Sequence, residues 1–255
     1  MDKIVIMEKE AGISILKLNR PEKLNAMNRR LLRELIDNLE SISRDKETGG
    51  VIITGEGKGF CVGGDLEEHP AFREDDAMLR EEFIREAQNV TLMLRQLSKP
   101  VIAAINGVAA GAGLDLAMAC DIRIASETAK FGEVFVLAGG MPDMGGTYFL
   151  PRLVGLGKAM ELALTGDYID AGEAHRIGLV NRVVPPSELM PNAMALCRRF
   201  TKGSADSYRL IKWALYRGLE QNLEQALENE LYGQNILLGT EYMKAFAKKF
   251  SRKNT

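Results

Sequence analysis

The spacing of apolar positions along the chain changes twice. Ile4-Val5-Ile6 and Ile13-Ser14-Ile15-Leu16-Lys17-Leu18 flank Glu10-Ala11-Gly12, which predicts a β-hairpin. Asn19-Arg20-Pro21 ends it. Leu31, Leu32, Leu35, Ile36 and Leu39 then recur at helical spacing, with Asn28 placed to cap the helix. Val51-Ile52-Ile53-Thr54 predicts a short buried strand, followed by a loop crowded with Gly55, Gly57, Gly59, Gly63 and Gly64. A charged helix is expected from about Asp76 to Leu97, stopped by Lys99-Pro100. Val101-Ile102-Ala103-Ala104-Ile105 predicts a second buried strand, Asn106 to Gly113 a small-residue loop opening a helix through Leu114, Leu116 and Met118, and Asp121 to Ala125 a third strand. Alternation of strand, glycine loop and helix is the pattern of βαβ crossovers.

Beyond Val180-Asn181-Arg182-Val183-Val184 the period is helical, with helices expected near 188–201, 204–217, 222–238 and 240–250. Pro185-Pro186 marks the change. The chain therefore divides into an α/β core over 1–185 and a helical region over 186–255. No internal repeat or low-complexity tract appears.

Composition narrows the function. The 255 residues carry 33 Lys and Arg against 35 Asp and Glu, a net charge of -2, without the basic excess of a nucleic-acid surface. No run of 18 apolar residues exists, and the first twelve residues do not read as a signal peptide, so neither a membrane partner nor export is expected. Cys61, Cys120 and Cys197 show no paired spacing, and the histidines are only His69 and His175. Neither a disulfide framework nor a metal site is indicated, and a reducing, cytoplasmic setting is expected. The glycines of Gly107 to Gly113 do not follow the dinucleotide-binding pattern, Gly155-Leu156-Gly157-Lys158 is not a Walker loop, and no GxSxG elbow occurs. Asn89-Val90-Thr91 matches a glycosylation sequon without an export signal to give it meaning.

Two loops carry candidate chemistry. Lys58 to Leu66 and Gly111 to Leu116 each follow a buried strand, and the second opens a helix whose first N–H groups are unbonded. Either both are tight turns, or each aims a backbone N–H at one substrate oxygen. In the second case each donor contributes on the order of 3 kcal/mol to an oxyanionic transition state.

Asn19 to Ala26, Phe60-Cys61-Val62-Gly63-Gly64-Asp65-Leu66, Lys99 to Gly107, Ala119 to Ala125, Gly145-Gly146-Thr147, Thr165-Gly166-Asp167 and Ala174 to Val180 stand in order over nearly the whole chain. This set resembles the crotonase superfamily, also called the enoyl-CoA hydratase/isomerase family. The resemblance implies an α/β spiral of βαβ turns with a C-terminal helical trimerisation region, assembled as a homotrimer or homohexamer. It implies an acyl-CoA substrate, with coenzyme A as part of the substrate rather than a cofactor. It places the thioester oxygen between the N–H groups of Gly64 and Ala112. Lys23, Leu24 and Cys61, with Phe246 and Lys249 near the C-terminus, correspond to the CoA-binding region. His69 and Phe135 fall in the acyl pocket.

The chain departs from the family where proton transfer is concerned. One hydratase acid corresponds to Asp115; the other falls on Phe135, which cannot move a proton. Asp143, in Pro142-Asp143-Met144-Gly145-Gly146-Thr147, stands where hydratases tend to have glycine. That loop is similar to those of ring-opening epoxide-CoA isomerases of aromatic degradation and of dienoyl-CoA isomerases. The expectation is a hydratase for an unsaturated, dienoyl or cyclic acyl-CoA, with Asp143 and Asp115 as its acids. The alternatives are an isomerase with Asp143 as proton shuttle and a CoA-binding protein without catalysis. Glu133 is expected to be solvated or at an interface, His175 to serve packing, and Cys61 and Cys120 to lie in the core.

Overall fold

The computed structural model describes residues 3–68 and 76–251, with side chains through Lys249. The expected hairpin forms from β1 (Val5–Glu10) and β2 (Ile13–Leu18), turning at Ala11 and Gly12, both with positive φ. From β2 onward the main sheet is parallel, through β3 (Gly50–Gly55), β5 (Val101–Ile105), β7 (Ile122–Ser126) and β10 (Arg182–Val184), in the order β1-β2-β3-β5-β7-β10.

Alternation along these strands builds two cores. Leu16, Leu18, Val51, Ile53, Val101, Ala103 and Ile105 point to the face covered by α1 (Arg29–Arg44), α2 (Ala77–Gln96) and α3 (Ala112–Ala119). Ile13, Ile15, Ile52, Ile102, Ala104 and Ile124 point the other way, against Leu189, Ala193, Met194 and Cys197 of α7 (Leu189–Phe200). Sheets covered on both faces read as continuous apolar runs, which is why these strands were visible in sequence. Asn28 caps α1 by accepting from the Leu31 N–H at 2.9 Å. The Leu31, Leu32, Leu35, Leu39 and Ile42 side chains of α1 are all buried, each contributing about 1.5–3 kcal/mol.

A second sheet was not expected. β4 (Gly59–Cys61), β6 (Val108–Ala110), β8 (Lys130–Gly132) and β9 (Tyr168–Asp170) pair in that order. β6 corrects the reading of Asn106 to Gly113 as loop. Three residues of small side chains carry no periodicity, and only their partners β4 and β8 make them a strand.

The sequence shows no repeat, yet the chain path repeats. Each of β3, β5 and β7 in the main sheet is followed by a short strand of the second sheet and then by helical structure. α4 (Gly146–Val154), α5 (Leu156–Thr165) and α6 (Ala171–Arg176) complete this part. The helical stretch beyond Pro185 begins with α7 on the sheet and continues through α8 (Ala205–Gly218), α9 (Leu223–Leu238) and α10 (Glu241–Ser251). Among the described residues no helix is long and apolar enough to cross a membrane.

Candidate active site

Three parallel strands of the second sheet deliver the site. The loop after β4 carries Gly63 and Gly64, the turn after β6 carries Gly111 and Ala112, and β8 runs straight into Glu133. Carboxyl ends of parallel strands are the common place for ligand sites in α/β folds. Gly111, at φ +50° and ψ −128°, redirects the chain from β6 into α3 in a conformation open to glycine. Gly63, at φ +96°, lies so close to that turn that an added Cβ would stand 3.3 Å from the Ala112 nitrogen. The two glycine loops are therefore in contact. Among the described residues, no backbone acceptor takes the Gly64 or the Ala112 N–H.

A buried ion pair braces the first loop. Arg20 donates to Asp65 Oδ2 at 2.8 Å, to the Ala26 carbonyl at 2.7 Å and to Glu68 at 2.9 Å. Asp65 Oδ1 accepts from the Glu67 N–H, while the Asp65 N–H donates to the Met27 carbonyl. Burial alone would raise the Asp65 pKa, but Arg20 and these N–H groups hold it below the usual carboxylate range.

The acids behave in the opposite way. Asp115 sits in the first turn of α3 and is fully buried. Its Oδ2 accepts from the Met144 N–H at 3.2 Å, which ties the 143–146 segment to α3. Its Oδ1 has no donor. Gly146 must lack a side chain here, because a Cβ would meet that oxygen at 2.3 Å. Burial pushes Asp115 up, the Met144 N–H opposes, and the charge of Asp143 adds to the rise, to about 7. Asp143 is half-buried, with Oδ1 enclosed and lacking a donor, and burial raises its pKa as well. Gln88 of α2 donates to the Asp143 carbonyl at 3.2 Å, and Thr91, one turn on, to the Met144 carbonyl at 2.8 Å.

Glu133 corrects the expectation of a solvated acid. It is 1% exposed, and neither carboxyl oxygen has a donor. Burial, then the neighbouring Asp115 charge, push it up to about 10. The available sign in sequence was an acid set within the apolar run Phe131, Val134, Phe135, Val136. Phe135 packs against the core with its ring over the Gly111 turn, 3.7 Å from where a Cβ would stand.

Asp143 opens onto a cavity of about 1070 Å³ between α2, the start of α4 and the helices α8 and α9. Arg95, Phe149, Trp213 and Tyr216 also line it. Asp143 lines it, whereas Gly64 and Ala112 do not.

The expected CoA-binding residues are dispersed. Lys23 pairs with Glu67, and Leu24 packs over Gly59. The Cys61 side chain is sealed in the core with its thiol pushed up to about 12 by burial, leaving only its backbone for contact with a ligand. Phe246 and Lys249 lie on α10, which packs on α9 and leaves both side chains largely exposed. Cys120 is buried as expected, whereas His175 is exposed, its Nδ1 3.2 Å from the Val180 carbonyl. His69 lies outside the described residues.

Comparison with known proteins places this geometry. The profile of the enoyl-CoA hydratase/isomerase family matches residues 8–253. The chain is 41% identical to a crotonyl-CoA hydratase of Syntrophomonas wolfei, over 96% of this chain and 95% of that one. It is 42% identical to a short-chain-enoyl-CoA hydratase of Clostridium acetobutylicum, over 90% and 88%. Its fold superposes on the enoyl-CoA hydratase of Bacillus anthracis with a TM-score of 0.94 at 34% identity, covering 98% of this chain and 97% of that one. The glycine-loop pair, the β-strand spiral and these similarities lead to one conclusion: the chain belongs to the enoyl-CoA hydratase/isomerase family of the crotonase superfamily, a family of enzymes.

Proposed function

We propose that this enzyme adds water across the conjugated double bond of an enoyl-CoA, with Asp143 as its principal proton-moving group. The thioester oxygen lies between the Gly64 and Ala112 N–H groups, where two fixed donors stabilise the charge that builds during addition. Water oxygen bonds to the β carbon, Asp143 takes the proton that water loses, and a proton is delivered to the α carbon. The product is a 3-hydroxyacyl-CoA, so atoms and charge balance without an added redox group. Asp115, beneath the Met144 N–H, is the second acid of the site.

One observation carries this reading: Asp143 lines the cavity with an enclosed carboxyl oxygen that no protein donor satisfies. The side chain borders the cavity, and burial raises its pKa above the ordinary carboxylate value, the direction that suits a group exchanging protons with substrate. Phe135 favours a second reading. With a ring where the family's other acid stands, a single carboxylate taking a proton from one carbon and returning it to another would make the enzyme an isomerase. The ring also suits a cyclic or dienoyl chain. On the CoA side, Lys23 and Leu24 with Lys249 and Phe246 are the binding residues, the latter pair reaching the site of a neighbouring protomer. The exposed Leu215, Leu223, Leu227 and Leu231 of α8 and α9 are the apolar surface that a trimer, or a hexamer of two trimers, would cover.

The test is incubation in D₂O with crotonyl-CoA, a 3-enoyl-CoA and a cyclic dienoyl-CoA, followed by mass spectrometry. Gain of one water supports hydration. Deuterium uptake or a double-bond shift without added water supports isomerisation. No change with any substrate while CoA still binds would overturn both.

A further inference from the structure

We propose that Glu133 is a positioning residue that keeps a proton inside the site and offers it as a hydrogen bond to Asp115. The argument rests on orphaned atoms. Both oxygens of Glu133 and Oδ1 of Asp115 are buried and have no donor. Two ionised carboxylates side by side offer only acceptors, and burying three unsatisfied acceptors is costly. One proton on Glu133 converts that arrangement into a donor facing an acceptor. The groups facing Glu133 are Asp115 from α3 and Asp143 from the 142–145 loop, both acids, and no cation accompanies them among the described residues. Nor do these acids form a metal-holding group there. With no counter-charge, the pair retains a proton, and Glu133, both of whose oxygens lack a donor while Asp115 accepts the Met144 N–H, is the member that keeps it.

The consequence extends the proposed function, on which it rests only for the role of Asp115. A hydrogen bond to the ionised form favours that form. Neutral Glu133 thus draws Asp115 down toward neutrality against the burial that raises it. It also leaves the site one negative charge fewer than three ionised acids would.

Infrared difference spectroscopy of the full-length protein at pH 8.5 tests the proton directly. The wild type should show the C=O stretch of a protonated carboxyl, and Glu133→Gln should remove it. No such band, or a band that persists in Glu133→Gln, overturns the proposal. The hydrogen bond is tested by following Asp115 with ¹³C-aspartate NMR in the substrate-free protein. Glu133→Gln keeps an N–H donor and should leave the Asp115 midpoint in place. Glu133→Leu removes the donor and should raise it by about one pH unit, a tenfold change in the ionisation constant. An unmoved midpoint in Glu133→Leu overturns the hydrogen bond. If that variant does not fold, the infrared result with Glu133→Gln still decides. None of these readouts uses turnover. A positive result with no hydration or isomerisation would leave the proton pair standing and remove the proposed function.

Discussion

Two groups of buried charge lie within this enzyme, and their environments are opposites. Around Arg20, every formal charge meets its complement: Asp65 and Glu68 take the guanidinium, and Asp65 accepts a backbone N–H as well. Around Asp115, three acids gather with no cation among the described residues, and Asp115, Glu133 and Asp143 each retain carboxyl oxygens without donors. Asp65 and Asp115 are both shielded from solvent, but Asp115 lies much deeper and has no cation beside it, and the pKa of the first is held down while that of the second is driven up. The difference teaches that the role of a shielded acid follows from how deeply it lies together with what it meets there. A paired buried carboxylate is scaffold, here bracing the Gly64 loop. Unpaired ones are proton stores, the condition under which a carboxyl exchanges protons near neutral pH.

The contrast is broken most severely at Asp143. Asp143→Asn should cost about 10²–10⁴-fold in kcat while CoA affinity is retained, measured by steady-state kinetics and calorimetric titration. Equal activity would return Asp143 to a turn role. On the scaffold side, Asp65→Ala strands the Arg20 charge. It should cost about 3 kcal/mol of stability, read as the denaturant midpoint. A change within error would mean that Glu68 alone suffices.

The corresponding change on the other side should go the opposite way. Asp115→Asn removes a buried acid without a counter-charge, so it should leave stability equal or higher while lowering activity. Loss of stability there would mean that Asp115 is also scaffold.

pH sharpens the comparison in a single protein. Asp115 and Glu133 have folded pKa values of about 7 and about 10, above their unfolded values of 3.8 and 4.5. An acid with a raised pKa contributes stability at low pH that is lost as pH rises from its unfolded toward its folded value. Stability should therefore fall as pH rises above the ordinary carboxylate range, and go on falling above neutral pH through Glu133. Glu133→Gln should flatten the slope, most clearly above pH 7. Asp65, with its lowered pKa, acts in the other sense: its contribution is present above its unfolded pKa and is lost as pH falls through its folded one. A flat alkaline profile in the wild type would contradict the unpaired state of the acids. The smallest effect is expected at Phe135. Phe135→Ala should change selectivity between cyclic and straight-chain acyl-CoAs by about tenfold, read as kcat/KM ratios.

Much of this was legible in residue order. Runs such as Val51 to Thr54 and Val101 to Ile105 announced strands buried on both faces, and Asn28 announced a helix start through its capping side chain. These signals are local, carried by neighbours within a turn or a strand. The glycine loops and the substitution of Phe135 for an acid were equally visible. β6 and the rest of the second sheet were not, because three-residue strands of small side chains acquire identity only from partners distant in sequence.

The sequence alone therefore determined most strands of the main sheet, the long helices, the family and the inventory of acids. It could not tell which acid would be paired. Asp65 and Asp115 each follow a glycine-bearing loop, and the apolar run around Glu133 signals burial without naming a partner. Whether a carboxylate meets a guanidinium or another carboxylate depends on which strands are adjacent. Arg20 reaches Asp65 across 45 residues, while β8 brings Glu133 beside α3. Electrostatic environment is a property of through-space neighbours, and only the folded chain supplies those.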